Sequence, residues 1–203
     1  MNKQDIIEFF DRLAPHWDAD MIKSDRIIET ILDGAEVTAG KTVLDVACGT
    51  GVMIPYYLSR GALVTGIDIA PRMVELAREK FPKVPILCGD VETAEFPEKF
   101  DCIVIYNAFP HFPRPERLIR LLASQLKPGG TLTVAHGMSR AHIDSHHKGA
   151  AGKVSIGLMH EDDLAALMGQ HLQVTVKLST DTMYQVTAKR RAVPAEAVHS
   201  SEC

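Results

Sequence analysis

The 203 residues fit one domain of ordinary size, 46% apolar and 24% charged, a balance that excludes the disordered and fibrous classes and supports a core without disulfide or metal. Twenty-two Lys and Arg against 26 Asp and Glu leave a formal charge of −4 with no dense basic stripe, which argues against a nucleic-acid partner. No apolar run reaches the roughly 18 to 20 residues of a membrane span, and the N-terminal MNKQDIIEFFDRLAPHWD lacks a basic segment leading into an apolar stretch, so a cytoplasmic chain is expected.

In chain order, Ile6, Ile7, Phe9, Phe10 and Leu13 recur at helical spacing, and Ile22, Ile27, Ile28, Ile31 and Leu32 predict a second helix. Short β-branched runs then alternate with helical patterns, the mark of βα units on a parallel sheet. Strands are expected at 42–46, 63–67, 84–87, 102–106 and 131–136, with helices near 52–60, 71–81 and 115–126. Pro71 suits a first helical turn, and KPGG at 127–130 reads as a helix stop and turn. Glu161, Asp162 and Asp163 place three acids in the first turn of a helix running to about Met168. LQVTVKLSTDTMYQVTAKR alternates with period two about Ser179-Thr180-Asp181 and predicts an antiparallel hairpin. Residues 190–203 are polar without periodicity, and a disordered tail is expected there. Cys48, Cys88, Cys102 and Cys203 show no metal-ligand rhythm and read as reduced thiols; in the alternative, Cys48 helps to line the loop that follows the first strand.

That first strand ends in VLDVACGTG, a glycine loop of the kind that lets a nucleotide approach backbone. Ile54 stands where a dinucleotide loop needs its third glycine, and no Lys followed by Ser or Thr marks a P-loop, so both phosphate-binding readings weaken. Asp68, ending the next strand, can accept from both hydroxyls of a ribose and repels a 2′-phosphate; Asp90, one strand further on, can take an exocyclic amine. Three successive strand ends carrying Asp45 with its loop, Asp68 and Asp90 converge on one crevice.

LDVACGTG, the GIDIA and GDVE aspartates, YNAFPHF and LKPGGTL resemble the ordered motifs of class I S-adenosylmethionine-dependent methyltransferases, and FFDRLAPHWD is similar to the lead-in of their quinone-type, small-molecule members. The resemblance implies a Rossmann-like α/β fold: a mostly parallel seven-stranded sheet with one antiparallel strand and helices on both faces. Residues 1–189 would form the single domain, with a helical cap at 1–36, a cofactor core at 37–137, an acceptor-side insertion at 138–160 and a closing helix and hairpin at 161–189. It implies that Asp45, Ala47, Gly49, Thr50 and Gly51 border the methionine end of S-adenosylmethionine. Asp68 would hold the ribose, Ile69 and Met73 would flank the adenine, and Asp90 with Val91 would read its edge. Asn107 would sit near the methionyl group, and Trp17, in place of the lead-in tyrosine, would close over the cofactor. Ala47 replaces the more usual first glycine.

Methyl transfer from a sulfonium needs alignment more than a protein nucleophile, and a base only where the acceptor must lose a proton. His111, His136 and His142 are the candidate bases; His16, His111, Arg140 and His146 are the candidate contacts to a small-molecule acceptor. Surface positions are the plainer account of His16 and His111. The run AHGMSRAHIDSHHKG admits three readings: an acceptor pocket, a solvated loop, or a metal site through His142 and His146 at i, i+4. No metal is assigned, and the oligomeric state stays open. A nicotinamide-dependent oxidoreductase and a noncatalytic cofactor-binding protein are the rival functions.

Overall fold

The computed structural model describes residues 2–19, 23–146 and 150–192. Helix α1 (Lys3–Leu13) starts where the Asn2 side chain accepts from the Asp5 amide at 2.9 Å and leads into a short 3-10 turn, Ala14–His16. Helix α2 (Asp25–Gly34) buries Ile28, Ile31 and Leu32, one stripe of an i, i+3, i+4 pattern. Strand β1 (Thr42–Val46), helix α3 (Ile54–Ser59), strand β2 (Leu63–Asp68), helix α4 (Pro71–Lys80) and strand β3 (Ile86–Cys88) follow. Strand β4 (Phe100–Tyr106), helix α5 (Pro115–Ser124) and strand β5 (Leu126–His136) continue the alternation; α6 (Arg140–His146), α7 (Glu161–Gly169), β6 (Gln173–Ser179) and β7 (Tyr184–Lys189) close it.

The seven strands lie in the order β3-β2-β1-β4-β5-β7-β6. Every pairing from β3 to β5 is parallel, and β7 runs antiparallel to both of its neighbours, so the hairpin supplies the single reversed strand. Parallel strands are covered on both faces, and the alternation of side chains divides the core accordingly. Ile103 and Ile105 pack with Leu118, Leu122, Leu164 and Met168 of α5 and α7, whereas Cys102 and Val104 pack with Ile31, Ile54, Tyr57 and Val74 of α2, α3 and α4.

The strand order reverses between β1 and β4, and ligands of open α/β sheets bind outside the strand carboxyl ends at such a point. Two sequence expectations need correction. KPGG lies within β5, because Gly129 donates to the Arg190 carbonyl at 2.9 Å and Arg190 donates back to Gly130 at 2.8 Å, which draws the irregular stretch into the ladder despite its φ of +77° at Gly129. Arg190, expected to begin the tail, thus extends the sheet; residues 193–203 lie outside the described residues.

A buried polar seam fixes α2 to the hairpin. Gln185 donates to the Ile31 carbonyl at 3.0 Å and to Thr187 Oγ1 at 3.1 Å, and a Cβ at Gly34 would stand 2.5 Å from its Nε2. Gly34→Ala is expected to displace this buried amide and cost about 1–3 kcal/mol, read as a lower midpoint in urea at unchanged slope.

Candidate cofactor and acceptor site

A cavity of about 420 Å³ opens at the carboxyl ends of β1, β2 and β4. Its floor is the loop after β1, where Ala47, Gly49 and Gly51 all hold positive φ, at +54°, +55° and +86°. Gly49 and Gly51 are free to do so, and Ala47 carries the strain of a side chain in that region. A Cβ at Gly51 would press to 2.8 Å from the Phe81 ring, whereas one at Gly49 would meet only Trp17 Nε1, at 3.9 Å, so Gly49 leaves its backbone open to the cavity.

Asp68 holds this loop in place. Its Oδ2 accepts from the Gly49 amide and its Oδ1 from the Ala70 amide, both at 2.8 Å. Burial pushes its carboxyl upward, and the backbone donors at Ala70 and Gly49 pull against that shift. Each oxygen keeps a further lone pair for an incoming hydroxyl. Asp45 sits deeper, 2% exposed, with Tyr57 Oη donating to Oδ1 at 3.4 Å and Oδ2 buried without a hydrogen-bond partner. Desolvation raises its carboxyl to about 8, with the Asp68 charge adding to the shift and the Tyr57 hydrogen bond opposing it.

Asp90 accepts from the Glu92 amide at 3.0 Å through Oδ1 and from Lys3 Nζ through Oδ2. Lys3 also reaches Glu92 Oε2 at 2.5 Å, and Arg114, just before α5, and Arg117, within it, approach the same carboxylate at 3.2 and 3.6 Å. Burial opposes the Lys3 charge, but the two carboxylates outweigh it and hold the ammonium above its ordinary value. Helix α1 is pinned as a roof at two further points. Asp11 accepts from the Arg72 amide at 2.8 Å, and in the segment after α1 Asp18 accepts from Thr50 Oγ1 at 2.5 Å and Lys80 at 2.7 Å. Ile6, Phe10, Leu13 and Trp17 face the cavity from this roof. Lys3 and Glu92 were not legible as site residues: 89 positions separate them, and no local pattern links a lone lysine to a distant acid.

At the other end lie Tyr106, Asn107, His111, Phe112, Met138 and His142. The loop after β4 turns through a 3-10 stretch, Phe109–His111, that brings the His111 ring edge-on to Phe10 at 4.9 Å and its Nδ1 to 2.6 Å from the Val154 carbonyl. A carbonyl only accepts, so Nδ1 carries a hydrogen, and in the neutral ring the lone pair is on Nε2.

Of the residues singled out in the sequence, Trp17, Ala47, Gly49, Asp68, Ile69, Met73, Asp90, Val91, Asn107, His111 and His142 line this one cavity. Asp45, Thr50 and Gly51 support the loop from behind. His16 is exposed at the end of the 3-10 turn after α1. His136 is 2% exposed and packs edge-on against Tyr184 at 6.1 Å, away from the cavity lining, because its β5 position turns it under α7. Arg140 also stands off the lining, 3.9 Å from Asp144 one turn along α6. His146 ends α6, and its side chain, like all of His147, lies outside the described residues. Among the described residues no group of three or more His, Cys, Asp or Glu could hold a metal ion, and no helix is long and apolar enough to cross a membrane.

Residues 44–134 match the family model described as a methyltransferase domain. A ubiquinone biosynthesis O-methyltransferase from Chromobacterium violaceum is 39% identical over 98 residues, 45% of this chain and 42% of that protein. A malonyl-[acyl-carrier protein] O-methyltransferase from Acetivibrio thermocellus is 34% identical over 129 residues, 61% of this chain and 46% of that protein. The chain therefore spans less than half the length of these two relatives. The structure of magnesium protoporphyrin IX methyltransferase from Synechocystis PCC 6803, with bound SAH, superposes with a TM-score of 0.69 at 18% identity, over 93% of this chain and all of that one, and so shares the fold. The matched segment runs from β1 to β5 and holds the glycine loop and both cavity aspartates, and over it the chain is similar to methyltransferase domains and shares the Rossmann-like fold of the solved methyltransferase.

Proposed function

We propose that the protein transfers a methyl group from S-adenosylmethionine to an oxygen of a small-molecule acceptor, with His111 as the base. The observation that carries this reading is the convergence of Asp68, Asp90 and the open Gly49 backbone on one cavity whose far end is apolar and carries a tautomer-fixed histidine. The O-methylation in the names of the two relatives supports oxygen as the methylated atom.

The residues present fit the cofactor. Asp68 would accept from the ribose hydroxyls, Asp90 from the adenine amine, and the Asp45 carboxyl behind the loop, kept protonated by burial with Oδ2 unpartnered, would be drawn to ionise only by the methionine ammonium. When bound, S-adenosylmethionine supplies a methyl already activated on a sulfonium, so the protein's task is alignment and exclusion of water. The α1 roof excludes solvent. Held by Val154, the His111 ring presents Nε2 to take the acceptor's proton, and an imidazole is suited to that transfer at neutral pH. A cytoplasmic location is part of this reading, supported by Cys48, Cys88 and Cys102 as free thiols.

The test is transfer of labelled methyl across a panel of hydroxylated acceptors, with His111→Gln beside the wild type. The variant is expected to lose about 10²–10³ in kcat with S-adenosylhomocysteine affinity unchanged, the loss shrinking as pH passes the acceptor's own pKa. Thermal protection by NADH and none by S-adenosylhomocysteine would instead establish the oxidoreductase. Cofactor binding with no acceptor ever methylated would establish the noncatalytic binder.

A further inference from the structure

Two kinds of contact hold helix α1 over the cavity. Around its carboxyl end and the turn that follows, Phe10, Ala14 and Trp17 pack against Ala70 and Met73, an apolar seam with no charge for salt to screen. At its amino end the tie is ionic: Lys3 Nζ bridges Asp90 Oδ2 and Glu92 Oε2, the second at 2.5 Å. About 15 Å of helix separates Lys3 from Leu13 at the helical rise per residue, so the ionic tie acts at the far end of a lever whose hinge is the seam.

Glu92 is the fixed anchor of this tie. Its side chain is 2% exposed, which a lone carboxylate could not sustain, and it draws on Lys3, Arg114 and Arg117 together. Loss of the Lys3 charge therefore leaves no uncompensated buried acid, because both arginines remain. Asp90 likewise keeps the Glu92 amide on Oδ1. Of the roughly four lone-pair sites on the Asp90 carboxylate, that amide and Lys3 fill one each, and the rest stay available for an amine. Lys3, Ile6 and Phe10 of α1 line the same cavity as Asp90 and Val91, which follow β3, so Lys3 joins roof to wall at the end where the adenine would lie.

Resting on the cofactor assignment above, we infer that Lys3 is a positioning residue whose ion pairs with Asp90 and Glu92 clamp α1 over the adenine end and set how long the cofactor stays bound. Entry and release require both pairs to part while the apolar seam holds. The charges are partly exposed, so the clamp weakens as ionic strength rises. S-adenosylhomocysteine carries no net charge at neutral pH, and the salt dependence of its release then reports the protein's own ion pairs.

Trp17, the single tryptophan of the chain, lines the cavity beside Phe10 and gives a fluorescence signal for binding. S-adenosylhomocysteine dissociation is followed by stopped flow for wild type, Lys3→Met and Lys3→Arg between about 50 and 500 mM KCl, with hydrogen exchange of the cofactor-free proteins alongside. Methionine keeps the apolar stem and removes the charge. Lys3→Met is expected to release the ligand about 10-fold faster at low salt and to lose most of the salt dependence that wild type shows. Its α1 amides should exchange about 10-fold faster while those of β4 are unchanged. Lys3→Arg, which restores the charge, should stay within about 3-fold of wild type in both measurements. Release from Lys3→Met no faster than from wild type, or an arginine variant as fast as the methionine one, overturns this inference and leaves the cofactor assignment standing. Failure of the wild type to bind S-adenosylhomocysteine overturns both.

Discussion

Asp68→Ala is expected to lower S-adenosylhomocysteine affinity by about 100-fold or more and to destabilise the fold by about 2–4 kcal/mol, the first from lost ribose contacts and the second from buried amides left unpaired. The two effects share one side chain. Gly49 and Ala70 each donate to it at 2.8 Å, so its removal frees the loop that must meet the cofactor. Asp68→Asn separates them: the amide retains one acceptor oxygen but turns an N–H toward one of the backbone donors. Its affinity should fall nearly as far as that of the alanine variant, with a smaller loss of stability. Calorimetric titration with S-adenosylhomocysteine and denaturant unfolding measure the two terms independently, and wild-type affinity in both variants would remove Asp68 from the cofactor site.

Asp45→Asn is expected to act in the opposite direction on stability. The wild-type carboxyl is raised from an ordinary value of 3.8 to about 8, chiefly by burial. A carboxyl raised in the folded state stabilises fully below its unfolded pKa, and that contribution is lost as pH rises toward and through the folded value, because the unfolded chain ionises while the buried group cannot. The wild type should therefore lose several kcal/mol between about pH 4 and pH 8, a window set by those two values. Asparagine has the same shape and no proton to lose, so the variant should match wild type near pH 4 and exceed its Tm by several degrees at pH 8. Its S-adenosylhomocysteine affinity should drop about 10-fold, the trade of stability for function common at charged buried sites. Equal pH profiles of Tm in the two proteins would show that Asp45 does not titrate in this window. Asp68 is raised in the same direction and contributes to the wild-type slope, so the comparison rests on the difference between variants.

Strands β1, β2 and β4 were legible in the sequence because buried parallel strands read as short apolar, β-branched runs bounded by turns, and Asp68 was legible because it ends such a run. The segment 127–130 was misread as a turn because the hydrogen bonds that make it strand come from Arg190, some 60 positions away. His136 illustrates the same limit. Its place at the end of β5 suggested a group facing acceptor, but the phase of the strand directs it under Tyr184.

What the sequence alone determined was the order of βα units and the set of aspartates at their carboxyl ends, since periodicity and strand-end position are local properties that survive in one dimension. Which histidines line the cavity and the tie of Lys3 to Asp90 and Glu92 were decided only by the tertiary structure. Each of these depends on a contact between residues that a short window cannot relate, and on a burial that fixes which atom of a side chain retains a lone pair or a hydrogen to offer.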